Sequence, residues 1–258
     1  MTGGVAIHNP TTGAMRIAVF SSGGPGNFQA ALDCARANPS RLQVALLVTD
    51  RPQTASESVA RELGIPVVTR DFPATLAGTE PLQRARRCDQ LHEELLEEIQ
   101  SFERQRTAID LCVLAYRRLV RGPLLDRFRG RMINQHPADL TSFDVATRKR
   151  RYTGIGGLKL AISDGNPTTR TSTMLVDDGV DTGEILVQGP SVAVEKGAKQ
   201  NLDQHERKQK SLSDWPALSM ALQLISTGRL SVGTTTWPDG CRRIYRDGVP
   251  LPYGGVQL

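Results

Sequence analysis

Hydrophobic positions follow two rhythms along this chain. Short, mostly apolar runs at residues 16–20, 42–48, 65–69 and 109–115 predict strands, and the last and most continuous of these suits a central parallel strand covered on both faces. Between them apolar residues recur at helical spacing. Residues 28–37 read as one helix, and Thr54-Ala55-Ser56-Glu57 is a capping-box pattern opening a second that stops at Gly64. A long amphipathic helix over 81–104 carries Leu91, Leu95, Leu96 and Ile99, and a short helix follows at 124–128. Strands are then expected at 131–135, 171–177 and 185–194, with helices at 157–163 and 215–225. A hairpin over 242–251 turns at Asp247-Gly248. The alternation predicts an α/β fold: a Rossmann-like, mostly parallel sheet with helices on both faces, extended by C-terminal strands. Residues 1–15 read as a loose leader, 16–258 as one domain, and the Lys- and Gln-rich stretch 195–211 as mobile or helical.

Charge narrows the partners. The 258 residues carry a net charge of +5, which favours anionic ligands, and Arg148-Lys149-Arg150-Arg151 is the densest basic run. That run reads either as a solvated loop or as a phosphate- or carboxylate-facing one. Aromatic content of 5%, without interleaving of aromatics and cations, argues against a nucleic-acid partner. No apolar run reaches the roughly 18 residues of a membrane span, and no basic-then-apolar leader marks a signal or transit peptide. Cys34, Cys88, Cys112 and Cys241 lie far apart, as reduced and mostly buried thiols of a cytoplasmic protein would. His92 and His205, set among charged neighbours, read as surface histidines rather than metal ligands.

Two stretches carry candidate chemistry. After the first strand comes Ser22-Gly23-Gly24-Pro25-Gly26-Asn27 and then a helix, an arrangement that serves equally as a tight turn or as an anion site. Gln29 stands where a third glycine would complete a dinucleotide fingerprint. Asp50, placed like a ribose-binding acid, keeps a nicotinamide-dependent oxidoreductase open as a reading.

The second is Met132-Ile133-Asn134-Gln135-His136-Pro137. Proline ends the strand, and alternation puts Asn134 and His136 on one face, an amide beside a titratable imidazole. The turn Asp177-Asp178-Gly179-Val180-Asp181-Thr182-Gly183 is either a structural hairpin or the source of a catalytic carboxylate. Gly179 and Val180 break the spacing a calcium loop needs, so no metal is expected.

The Asn-x-His-Pro run and the later Asp-Gly-Val-Asp-Thr-Gly turn together resemble the folate-dependent formyltransferases, particularly the glycinamide ribonucleotide transformylases. The resemblance implies Asn134, His136 and Asp181 as the catalytic set and 10-formyltetrahydrofolate as formyl donor. It further implies that Tyr116, Arg117, Arg118, Leu119, Val120, Asp177 and Asp178 bind this folate. Gly24, Pro25, Gly26 and Asn27 would hold the small amine acceptor, phosphorylated or sugar-like. A 10-formyltetrahydrofolate hydrolase would use the same three catalytic residues. The chain departs from the family pattern at Pro25, at Met174 where many relatives have histidine, and along the charged loop 138–151.

Overall fold

A computed structural model describes residues 4–144 and 146–258. After β1 (Val5–Ala6) the chain runs through β2 (Met15–Ser21), α1 (Gly26–Ala37), β3 (Leu42–Thr49), α2 (Ala55–Glu62), β4 (Val67–Thr69), α3 (Phe72–Leu76), α4 (Pro81–Gln105), β5 (Leu111–Ala115) and α5 (Gly122–Arg127). It continues through β6 (Met132–His136), α6 (Gly157–Ser163), β7 (Thr168–Thr169), β8 (Ser172–Leu175), β9 (Ile185–Gln188), β10 (Val192–Ala193) and α7 (Leu202–Gln209). Last come α8 (Trp215–Ser226), β11 (Leu230–Thr236), β12 (Arg242–Arg246), β13 (Val249–Pro250) and β14 (Val256–Gln257). Contacts divide the chain into two compact units, residues 13–132 and residues 133–258 with the segment up to Thr12.

In the unit 13–132 the strands lie in the order β5-β2-β3-β4, all parallel. Ile17, Ala18, Val19 and Phe20 are fully buried, as strands covered on both faces require. The covering helices start and stop where local chemistry dictates. Thr54 Oγ1 accepts the Glu57 N–H at 3.1 Å, and Glu57 reaches back one residue further than a capping box would, accepting from Gln53 N at 2.7 Å. Gly64, at φ 66°, ends α2 in the left-handed region.

His92 is not on the surface. It sits three, four and seven residues before Leu95, Leu96 and Ile99, so helical geometry places it on the apolar stripe of α4, and it is 1% exposed. Its ring packs against Phe72 and Tyr116, and among the described residues neither ring nitrogen has a hydrogen-bond partner. Burial first, reinforced by Arg118 and opposed by Asp89 and Asp50, lowers its pKa from 6.5 to about 4. The unfolded chain therefore takes up this proton before the folded one does. Stability from a neutral His92 is complete above pH 6.5 and is lost as pH falls towards 4, by about 3 kcal/mol. His92→Phe should flatten this part of the stability curve in denaturant titrations. A variant curve parallel to wild type between those pH values would exclude His92 as the responsible group.

In the other unit β6 and β8 pair antiparallel, β8 and β9 antiparallel, and β9 and β14 parallel. Parallel pairs together with helices give the α/β class expected. Of the C-terminal strands only β14 joins this set. The hairpin β12–β13, closed by Asp247 at φ 53° and Gly248 at φ 79°, instead builds an antiparallel sheet in the order β1-β11-β12-β13. The expected loose leader is corrected here, although residues 1–3 lie outside the described residues. Val5 and Ala6 pair with Val232 and Ser231, structure that rests on backbone hydrogen bonding and leaves no apolar pattern in the sequence. Met15, the last leader residue, opens β2 and is fully buried.

Residues 202–226 form an almost continuous helical stretch in which α7 and α8 are joined by a π-helical turn, Lys210–Asp214. Leu202, His205 and Gln209 share one face of α7. His205 is thereby buried, with Nε2 2.7 Å from Thr169 Oγ1, and is not the solvated histidine its charged neighbours suggest. No helix among the described residues is long and apolar enough to cross a membrane.

Candidate active site

His136 closes β6 and is buried between two hydrogen-bond acceptors. Nδ1 lies 3.0 Å from Asp181 Oδ2, and Nε2 lies 2.5 Å from the Tyr152 carbonyl oxygen. Each ring nitrogen thus faces an oxygen acceptor, which fixes the orientation of the ring. Gly157, at the start of α6, permits this packing. A Cβ there would overlap the Tyr152 oxygen and come within 2.7 Å of His136 Nε2. Asn134 precedes His136 by two residues on the same strand and is half-buried, with its backbone in register with Met174. Among the described residues no hydrogen bond is spent on its amide, so the amide is free to donate.

The acidic turn brings Asp181 to this imidazole. Asp177 closes the turn from within, its Oδ1 accepting from Gly179 N at 3.1 Å and Thr182 Oγ1 at 2.6 Å. Gly183 has no room for a side chain because a Cβ would overlap the Leu175 carbonyl. Asp181 itself adopts φ 54°, a left-handed conformation that aspartate tolerates better than most residues. Its Oδ2 accepts from both His136 Nδ1 and Gly154 N, the latter at 2.7 Å, leaving Oδ1 for other chemistry. Burial alone would raise its pKa. The bond to His136, the charge of that imidazole, the Gly154 N–H and the Arg150 guanidinium outweigh burial and hold the carboxyl below its ordinary value.

The basic run is not uniformly solvated. Arg148, Lys149 and Arg151 are exposed, but Arg150, bridged to Phe143 in antiparallel fashion, turns inward and is buried. Nη1 donates to the Asp181 carbonyl at 2.7 Å, Nε to Tyr253 Oη at 2.8 Å and Nη2 to Cys241 Sγ at 3.1 Å. Cys241 in turn donates to the Thr182 carbonyl at 2.9 Å, and burial pushes its thiol up to about 12. Four groups with no role beside the imidazole legible in sequence, Arg150, Tyr152, Gly157 and Cys241, therefore adjoin His136 and Asp181. Met174 packs with Leu140 and Ile185 as an apolar residue. Val145, within the loop 138–151, lies outside the described residues.

The remaining candidates belong to the other unit. Pro25, at φ −76°, precedes α1, whose N-terminus has no side-chain cap; its carbonyl accepts from Gln29 N at 2.6 Å. Gly24 has open space where a Cβ would be, and Ser56 Oγ donates to the Gly23 and Gly24 carbonyls at 3.3 Å each. Beyond β5, Tyr116 turns its ring against Phe20, Phe72 and His92, while Arg117 N donates to Ser22 Oγ at 2.9 Å. Arg117 and Leu119 are exposed and Val120 is buried. Asp50 is fully buried. One oxygen bonds Arg118 at 2.9 Å, and Arg51 spans both at 3.1 and 3.3 Å. A carboxylate that is fully buried and paired with two guanidiniums presents no surface to a ribose diol, which weakens the nicotinamide reading.

Among the described residues no group of His, Cys, Asp and Glu is arranged to hold a metal ion. Sheet, helices and an amide–imidazole–carboxylate group at a strand end define an α/β enzyme-like protein. Residues 15–213 match the family described as Formyl transferase, and the chain belongs to that family. It is 27% identical over 220 residues to the trifunctional purine biosynthetic protein adenosine-3 of Homo sapiens, covering 84% of this chain and 19% of that protein. Against the chloroplastic phosphoribosylglycinamide formyltransferase of Vigna unguiculata identity is 30% over 174 residues, 67% of this chain and 50% of the relative. The crystal structure of glycinamide ribonucleotide transformylase 1 from Symbiobacterium toebii superposes with a TM-score of 0.68 at 26% identity, covering 90% of this chain and 94% of that one.

Proposed function

We propose that this protein transfers a formyl group from 10-formyltetrahydrofolate to the amine of a small acceptor. The observation that carries the reading is the His136–Asp181 pair beside the unspent Asn134 amide, in a chain of the formyl transferase family. The acceptor nitrogen adds to the formyl carbon and its carbonyl oxygen becomes an oxyanion. Asn134 donates to that oxygen, and His136, once protonated, stabilises it by charge. Asp181 holds the imidazole through Oδ2 and takes the amine's proton through water at Oδ1. Collapse breaks the bond from the formyl carbon to N10 of the folate, which leaves carrying a proton as tetrahydrofolate.

A phosphorylated amine such as glycinamide ribonucleotide fits the acceptor role best. The uncapped N-terminus of α1 after Gly24-Pro25-Gly26 and the net charge of +5 support an anion there. Pro25 contributes no N–H, so one donor fewer faces that anion than a non-proline residue would supply. The cytoplasm is the compartment that suits the separated cysteines.

Tetrahydrofolate release, followed by absorbance, tests the reading. Release that requires glycinamide ribonucleotide is the expected result. Release without any amine would replace transfer by hydrolysis, and absence of release with that amine would reject it as acceptor.

A further inference from the structure

We propose that Arg150 is the positioning residue of the candidate site, fixing the backbone of Asp181 through the bond to its carbonyl and so presenting the carboxylate to His136. The side chain of Arg150 is 3% exposed, an uncommon setting for a guanidinium. Three of its N–H groups are committed, to the Asp181 carbonyl, to Tyr253 Oη and to Cys241 Sγ, and its plane lies over the Tyr253 ring with 5.4 Å from carbon to centroid. Asp239 Oδ2 stands 3.8 Å away and also accepts from Tyr253 Oη. Cys241 fixes the next carbonyl, that of Thr182. Two successive peptide oxygens, those of Asp181 and Thr182, are thus tied to one cluster, the first of them on a non-glycine residue at φ 54°. A left-handed aspartate is costly and persists where surrounding bonds over-determine it. Arg150 supplies that determination and a buried positive charge as well.

Other charged or titratable groups bear on Asp181. They are His136 from β6, Asp177 and Asp178 within the turn, Glu184 held by Arg242, Asp239, Cys241 and Tyr253 around the guanidinium, and Asp214 towards His136. Arg150 is the fixed cation among those bonded to the Asp181 residue, and its charge contributes to holding the carboxylate ionised.

The inference rests on reading Asp181 as the catalytic carboxylate, so the test has one arm that does not depend on turnover. The Asp181 carboxyl is titrated by 13C NMR, assigned with Asp181→Asn, in wild type, Arg150→Met and Arg150→Lys. Arg150→Met should raise the midpoint and move the acid limb of kcat with it, at nearly constant KM. Arg150→Lys should restore the midpoint but leave kcat about tenfold low, because a flexible ammonium lacks the rigid planar fork that holds the Asp181 carbonyl, Tyr253 and Cys241 together. A midpoint in Arg150→Met equal to wild type would overturn the proposal. Should that variant fail to fold, Arg150→Lys decides: wild-type kcat overturns the positioning role, and lowered kcat with an unmoved acid limb supports it. A shifted midpoint in a protein that transfers no formyl group would instead sink the reaction and leave Arg150 in place.

Discussion

Changing Asp181 to Asn is expected to lower formyl-transfer turnover by about 10³-fold at neutral pH without unfolding the protein. Asparagine has the same shape and, like aspartate, tolerates the left-handed backbone found at φ 54°. The substitution therefore removes charge and little else. With a carboxylate, Oδ2 accepts from both His136 Nδ1 and Gly154 N. An amide can turn its oxygen to those two donors, but it neither balances an imidazolium nor takes a proton from the attacking amine. Because the carboxyl is held below its ordinary value, wild-type Asp181 stays ionised throughout the neutral range, and its stabilising contribution is lost only as pH falls through that lowered value. The comparison needs kcat and a thermal melt for each protein. Turnover within tenfold of wild type would remove Asp181 from the mechanism.

Gly157→Ala should cost about 10²-fold in kcat and roughly 1–3 kcal/mol in stability, an effect that contact alone produces. The added methyl overlaps the Tyr152 carbonyl oxygen and presses on His136 Nε2 at 2.7 Å, and both neighbours belong to the proposed site. The adjacent residue makes a clean control. Gly156 has φ −93° and nothing within 4 Å of a new Cβ, so Gly156→Ala should behave like wild type. Equal activities for the two alanine variants would mean that the imidazole has room to relax, and that its contact with Tyr152 is incidental.

How much of this was legible depended on the kind of signal. β2, β3 and β5 are largely apolar runs, and the Asn134–His136 spacing on a strand by itself puts the amide and imidazole on one face. Asp181 was legible through its turn. His92 was misread because its neighbours in sequence are charged, while its neighbours on the helix, Leu95, Leu96 and Ile99, are apolar. Arg150 was hidden for a related reason. Within Arg148-Lys149-Arg150-Arg151 composition is uniform, and only the bridge to Phe143 sorts one side chain inward from the rest. Gly157 and Tyr152 act through a backbone oxygen and a missing Cβ, which no residue pattern announces. Val5 and Ala6 owe their strand to pairing with β11, a partner more than two hundred positions away.

The π-helical turn at Lys210–Asp214 carries one residue more than an α-helical ladder accommodates, which puts α7 and α8 out of phase by about 100°. An alignment drawn through both helices without a gap at this point would pair inward positions of one protein with outward positions of another. Excising one residue there would restore α-helical phase and swing His205 and Gln209 away from Thr169, exchanging a buried polar seam for a solvated one. The bulge thus acts as a phase adjuster, letting a Lys- and Gln-rich helix precede an apolar one in a single rod while each keeps its own inward face.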